Sequence, residues 1–139
     1  MMRRNRKGFT LVEIMIVVAI IALLAAIAIP NLLSAKRTAN TAAAKANIRA
    51  LSTAAEVFAT ANNGSYPTGP GVAGPPPTLL AAYIAAAPTL CAATIAAPVQ
   101  GYAYTCVLAV GGYTITATPA SATAGDTTWV VTTGGEITP

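Results

Sequence analysis

The acidic side chains are the first candidates for chemistry, and the 139-residue chain has only four of them. They are Glu13, Glu56, Asp126 and Glu136, and no two stand at a spacing typical of an acid–base pair. The chain has no histidine, which excludes His-based zinc sites and Cys–His or Ser–His–Asp catalytic arrangements. No phosphate-binding glycine loop is present. The sequence therefore predicts a protein that is not an enzyme and that has no cofactor or metal site.

One segment is too apolar to remain in water. Residues 14–29 form an unbroken run of 16 apolar residues, and residues 9–29 contain a single charge, that of Glu13. As a helix, residues 9–29 span roughly 30 Å, which is the thickness of the hydrocarbon core of a bilayer. The sequence predicts a transmembrane helix here.

Half of the basic residues precede this run, and they account for the whole net charge of +4. Without Arg3, Arg4, Arg6 and Lys7, 8 − 4 = 4 basic residues face four acidic ones. The remaining chain has no basic surface of the kind that binds nucleic acid, so no specific nucleic-acid binding is indicated. The four leading charges favour a cytoplasmic N-terminus, which sends the residues after 29 to the other side of the membrane.

The two cysteines, Cys91 and Cys106, both fall in the exported part of the chain. In an oxidising compartment an even number of cysteines favours a disulfide. A bridge closing a loop of this length stabilises a fold by about 3 kcal/mol. The alternative is a pair of free thiols that are buried as small apolar groups.

A second, amphipathic helix segment is predicted for residues 30–63, where charged residues reappear. Pro30 removes a backbone donor, so a kink or local break is expected there. Apolar residues then recur at spacings of four, three, four and three, which places them on one helix face: Ala44, Ile48, Leu51, Ala55 and Phe58. Asn63-Gly64 with Pro67 predicts that the helix ends near Asn62.

Residues 64–139 are predicted to form a globular head with a small antiparallel sheet, which makes the fold α+β. An irregular loop is expected at 66–77 and a short helix at 78–86. A two-residue hairpin around Gly111-Gly112 is expected to pair three sets of inward residues: Val110 with Tyr113, Leu108 with Ile115, and Cys106 with Ala117. A third strand is expected at 127–133, and the helix stripe ending at Phe58 is expected to cover the sheet.

The most specific motif lies where the basic segment meets the apolar helix. A short basic leader ends in Gly8, Phe9 follows, and Glu13 is the fifth residue from Phe9. This string, over about residues 3–30 and including Pro30, resembles the processing site of type IV prepilins. The resemblance implies that a membrane-embedded prepilin peptidase removes residues 1–8 by cutting after Gly8, and that the new amine of Phe9 is methylated.

The same resemblance implies a non-enzymatic structural subunit. It would wait in the inner membrane as a single-pass protein, with the lipid bilayer around its apolar helix. A cytoplasmic ATPase-driven pilus assembly machinery would then draw it into an extracellular helical homopolymer used for motility, adhesion or DNA uptake. Contacts between helices would involve small residues such as Ala22 and Ala26.

Glu13 and Pro30 are the candidate assembly residues within the apolar segment. A carboxylate inside a bilayer costs about 2.5–3.5 kcal/mol, and no Lys or Arg occurs in the 22 residues after Glu13. The amine of Phe9 in a neighbouring subunit is therefore the expected partner of Glu13. A local alternative is that Thr10 and Glu13 form a capping box. Pro30 either bends or melts the helix during assembly or marks where the membrane segment ends.

Other protein classes share parts of this pattern. Residues 26–28 imitate the cleavage site of a secretory signal, and a plain signal anchor would also accommodate a capping box. The major pseudopilin of type II secretion systems resembles this layout but carries an acidic calcium-binding loop near the C-terminus. Here only Asp126 and Glu136 are available there. An electron-conducting filament is a further alternative, although no aromatic residue lies between Phe9 and Phe58.

Overall fold

The computed structural model describes residues 8–70, 80–92 and 94–139. The chain divides into two compact units, Met1–Ala35 and Lys36–Pro139. Helix α1, Leu11–Ala61, begins in the first unit and ends in the second. A short helix and a small sheet complete the second unit, so the predicted α+β fold class is confirmed.

In the first unit, the surface of α1 is apolar and uncovered. More than half of every large apolar side chain from Leu11 to Leu32 is exposed. By length and composition this helix is able to cross a membrane. The exposed surface therefore fits membrane anchoring.

The helix is not interrupted at Pro30, because α1 continues through this residue. The expected local break is thus absent. Proline cannot donate a hydrogen bond to the carbonyl of Ala26, but one missing bond does not end a long helix whose flanking residues are good helix formers.

The C-terminal end of α1 lies one residue before the predicted position at Asn62. Asn63 and Gly64 have positive φ angles of 55° and 84°. The Gly64 N–H donates a hydrogen bond of 2.8 Å to the Ala59 carbonyl. This left-handed turn satisfies a carbonyl that the last helical turn leaves without a partner.

The sheet of the second unit is a four-stranded antiparallel meander in the order β1-β2-β3-β4. The strands are β1 Tyr102–Ala109, β2 Gly112–Pro119, β3 Trp129–Thr132 and β4 Ile137–Thr138. The third strand is shorter than the predicted 127–133. The two-residue β4 was not predicted, since so short a strand has no alternating pattern to detect.

The register of the β1–β2 hairpin differs from the prediction by two residues. Leu108 pairs with Tyr113, Cys106 with Ile115, and Tyr104 with Ala117. The turn residues are Val110 and Gly111, because Gly112 belongs to β2, where a Cβ atom would overlap the side chain of Thr133 on the β3 side. A shift of two preserves the facing of each side chain. Only Val110, which is exposed in the turn, leaves the predicted inner face.

The core of the second unit lies between α1 and the inner face of the sheet. All five stripe residues predicted from the sequence are buried: Ala44, Ile48, Leu51, Ala55 and Phe58. The sheet contributes alternate residues that are also buried: Tyr102, Tyr104, Tyr113, Ile115, Ala117 and Val131. These two faces, together with Leu80, Ala87 and Leu90, supply the apolar burial that stabilises the head.

The short helix predicted at 78–86 is replaced by two separate pieces. Leu80–Ala82 forms one 3₁₀ turn, and helix α2 spans Ala87–Cys91. Pro88 explains the new start, since proline suits the first turn of a helix. Residues 78–79 and the part of the predicted loop at 71–77 lie outside the described residues.

Candidate assembly segment and head contacts

The residues at the predicted processing point precede α1 and are exposed. Phe9 has 84% of its surface exposed. A Cβ atom added at Gly8 would meet no described atom within 4 Å. Packing within the described chain therefore does not require glycine at this position. The basic residues at 3, 4, 6 and 7 lie outside the described residues.

Thr10 and Glu13 form a reciprocal set of hydrogen bonds at the start of α1. Glu13 Oε2 accepts bonds from the Thr10 N–H at 2.9 Å and from the Thr10 hydroxyl at 2.8 Å. The Glu13 N–H in turn donates to Thr10 Oγ1 at 3.2 Å. This is a capping box, which satisfies backbone donors that the first helical turn leaves free. The alternative role foreseen for Glu13 is thus present in the single chain.

The charge of Glu13 nevertheless has no cation beside it in sequence. The next charged residue is Lys36, and the side chains between them are apolar or small. Thr10 supplies hydrogen bonds but no positive charge, so the negative charge of the carboxylate is not neutralised by the contacts described above.

In the head, a disulfide joins Cys91 at the end of α2 to Cys106 on β1, with a Cα–Cα distance of 5.4 Å. The bridge connects two segments that are 15 residues apart. It therefore attaches α2 to the first strand of the sheet. Cys106 lies on the inner side of β1, next to the core.

Three tyrosines of the sheet reach polar residues of α1, and sequence reasoning missed these contacts. The hydroxyl groups of Tyr102 and Thr41 are 3.0 Å apart, and those of Tyr113 and Ser52 are 2.8 Å apart. Asn47 donates to the Tyr104 hydroxyl at 2.9 Å. Burial raises the pKa of Tyr104 and raises that of Tyr113 to about 12. The sequence contains a signal for two of these contacts. Tyr102 and Tyr104 are two residues apart on a strand, which places both on the inner face of the sheet.

No three His, Cys, Asp or Glu side chains among residues 8–70, 80–92 and 94–139 cluster in a way that could hold a metal ion. The main features that the described chain offers are therefore an uncovered apolar helix with one acid at its start and a head fixed to the same helix.

Comparison with known proteins identifies the first of these features. Residues 3–29 match the family model of the prokaryotic N-terminal methylation motif. The major component of the type IV wide pilus of Thermus thermophilus is 65% identical over 37 residues, which cover 27% of this chain and 28% of that protein. Residues 3–29 thus carry a prokaryotic N-terminal methylation motif, and the chain is similar in part to a type IV pilus component.

Two further relatives match longer parts of the chain. The major type IV pilin of Myxococcus xanthus is 56% identical over 55 residues, or 40% of this chain and 24% of that pilin. Core protein G of the type II secretion system of Pseudomonas aeruginosa is 40% identical over 68 residues, or 49% of this chain and 47% of that protein. The chain thus spans less than half of the length of these relatives. No solved structure matches it.

The matched segment contains Gly8, Phe9 and Glu13 and ends just before Pro30. The motif match therefore lies on the exposed N-terminal part of α1, and it includes no residue of the head.

Proposed function

We propose that this chain is the structural subunit of a type IV pilus. A prepilin peptidase cuts it after Gly8, the amine of Phe9 is methylated, and the mature chain polymerises into a helical surface filament. The observation that carries the proposal is the match of residues 3–29 to the methylation motif, together with the exposure of more than half of every large apolar side chain from Leu11 to Leu32.

An exposed apolar helix has to be covered by something other than water. Before assembly the lipid of the inner membrane covers it, with the basic N-terminus in the cytoplasm and the head outside. After assembly the helices of other copies cover it. Identical subunits joined through two different surfaces form an open helical array, which grows into a filament and not into a closed ring. The pilus assembly machinery of the inner membrane moves the subunit between these two states.

Glu13 is proposed to direct this step by meeting the amine of Phe9 in a neighbouring subunit. That amine exists only after the leader has been removed, so cleavage would license assembly. The intermolecular pair has to compete with the capping box, whose loss costs about 0.5–2 kcal/mol. In a dry filament core a well-placed ion pair interacts more strongly than a pair in water, so the intermolecular pair can replace the capping box.

Two substitutions at Glu13 separate the ion pair from the capping box. Glu13→Val removes both, whereas Glu13→Gln keeps an acceptor for the Thr10 N–H and removes only the charge. We expect both variants to insert in the membrane and to be cut after Gly8, yet to yield few or no filaments when expressed alone. Normal filament yield for Glu13→Gln, with loss for Glu13→Val, would assign Glu13 to helix capping.

Intact mass spectrometry of the filaments tests the processing itself. The expected chain begins at Phe9 and carries one added methyl group on its amine. Filaments built from chains that begin at Met1 or Ile29 would refute the proposed processing.

A second candidate is a pseudopilin of a type II secretion system. It is favoured by the match to core protein G, which extends over 68 residues and so reaches beyond the methylation motif. The small number of carboxylates near the C-terminus favours the pilus, because a calcium-binding loop needs several oxygen ligands. Only Asp126 and Glu136 are available there, and Asp126 accepts a hydrogen bond from Thr127. Deletion of the gene separates the two candidates. Loss of sheared surface filaments indicates a pilus, and loss of protein secretion with unchanged filaments indicates a pseudopilus.

A further inference from the structure

Glu56 accepts hydrogen bonds from three separate segments of the head. Its Oε1 atom accepts from the Tyr113 hydroxyl of β2 at 2.9 Å and from the Gly134 N–H of the β3–β4 turn at 2.8 Å. Its Oε2 atom accepts from the hydroxyl of Tyr66, which follows α1, at 3.0 Å. We call this group of four residues, Glu56, Tyr66, Tyr113 and Gly134, the Glu56 clasp.

The three hydrogen bonds to Glu56 suit an ionised carboxylate. A carboxylate is an acceptor only, whereas a protonated carboxyl group turns one oxygen into a donor. Tyr113 gives its single hydroxyl hydrogen to Glu56, so the neighbouring Ser52 hydroxyl, 2.8 Å away, donates to Tyr113. Every donor in the clasp is therefore aimed toward the carboxylate, and bonds to a charged acceptor are the stronger kind.

No cation takes part in this arrangement within the described chain. Burial raises the pKa of Glu56, but the hydrogen bonds from Gly134, Tyr113 and Tyr66 outweigh burial and place the pKa below its usual value. The hydrogen bond to Glu56 raises the pKa of Tyr66, and burial is the main cause of the raised pKa of Tyr113. Both tyrosines therefore stay protonated as donors when Glu56 is ionised. The nearest acid in sequence to Gly134 is Glu136, which is exposed.

The clasp holds the part of the sheet that has the fewest other contacts. Strand β4 pairs with β3 at only two positions, Val130 with Thr138 and Val131 with Ile137. The turn that joins these strands contains Gly134 and Gly135, both with positive φ. In contrast, β1 and β2 pair over eight positions, and the disulfide attaches α2 to β1.

From this geometry we propose that Glu56 is an acid-sensitive clasp, whose protonation releases the β3–β4 turn and the Tyr66 segment from α1 while β1, β2 and the core stay folded. A carboxylate that is stabilised in the folded state contributes its full stabilisation above the pKa of an unfolded glutamate, about 4.3. That contribution is lost as the pH falls through the lower folded pKa. The release therefore belongs to the pH range below about 4.3.

Nuclear magnetic resonance of the mature full-length chain in detergent micelles tests the proposal. In the wild type, the Gly134 amide shift is expected to titrate with one midpoint below about 4.3, while the amides of β1, and those of β2 away from Tyr113, keep their folded-state shifts. Glu56→Gln should abolish this titration and speed amide exchange of Gly134 by roughly tenfold or more at one fixed pH, as expected for loss of a charge-assisted bond. The matched variant Glu136→Gln should keep the wild-type titration.

Tyr66→Phe provides a second measurement that does not depend on the folding of Glu56→Gln. This variant keeps the ring, whose centroid lies 5.5 Å from that of the Tyr113 ring, but it removes one hydrogen-bond donor to the Glu56 carboxylate. The midpoint of the Gly134 titration should therefore rise. The proposal is overturned by a Gly134 amide that does not titrate, by a titration that persists in Glu56→Gln, or by an unchanged midpoint in Tyr66→Phe. Simultaneous loss of the β1 and β2 signals would also overturn it, since that result means global unfolding.

Discussion

Replacing Gly125 by alanine would insert a methyl group into space that the Tyr102 ring occupies. A Cβ atom at Gly125 would overlap the hydroxyl oxygen and two ring carbons of Tyr102. Tyr102 is fully buried, and its hydroxyl lies 3.0 Å from Thr41 Oγ1 and 3.1 Å from the Thr127 carbonyl. The ring cannot move away without breaking these contacts.

The expected cost combines two effects. Overpacking a closed core typically costs about 1–3 kcal/mol, and leaving a buried hydroxyl without its partner costs about 1–3 kcal/mol more. The unfolding free energy of the head should therefore fall by roughly 2–6 kcal/mol. For a domain of about 100 residues, this corresponds to a fall in Tm of about 10 °C or more.

The assay is thermal unfolding of the full chain in detergent, followed through the fluorescence of Trp129, the sole tryptophan. Gly111→Ala is the matched control, because its Cβ atom would meet nothing within 4 Å in the hairpin turn. We expect the control to change the unfolding free energy by no more than about 0.5 kcal/mol. A Gly125→Ala variant that unfolds at the wild-type temperature, or equal losses in both variants, would refute the packing argument.

Two further substitutions test the head. Replacing Cys91 and Cys106 together by alanine should lower the unfolding free energy by about 3 kcal/mol, measured by denaturation without reductant; thiol labelling of both cysteines in the unreduced, denatured wild type would contradict the bridge. Phe58→Ala should lower the unfolding free energy by about 3–5 kcal/mol, because Phe58 is only 1% exposed. Val57→Ala, at a site that is 49% exposed, should lower it far less in the same measurement. Comparable losses in the two variants would place Phe58 outside the core.

Two features of the helices could be predicted from the sequence: the buried face of α1 and its C-terminal end. The buried stripe from Ala44 to Phe58 follows from the 3.6-residue period, and the end of α1 follows from Asn63-Gly64. Gly8, Phe9 and Glu13 were recognisable because their spacing is a linear motif. Such local signals do not depend on the rest of the fold.

Several of the features that were missed depend on long-range contacts. The hairpin register was ambiguous because two adjacent glycines offer two turn positions. The sequence does not show that Thr133, directly after β3, packs on Gly112. Glu56 gave no signal at all, because its partners lie 10, 57 and 78 residues away in sequence. Such partners are set by tertiary packing alone.

The three tyrosine contacts with α1 have a mechanical consequence. Thr41, Asn47 and Ser52 lie on different turns of the helix, and each reaches a different tyrosine of the sheet. A slip of the helix by one turn, about 5.4 Å, would break all three contacts at once. Force applied along the axis of α1 is therefore shared by three bonds loaded in parallel, so that the sheet resists sliding of the helix as a unit.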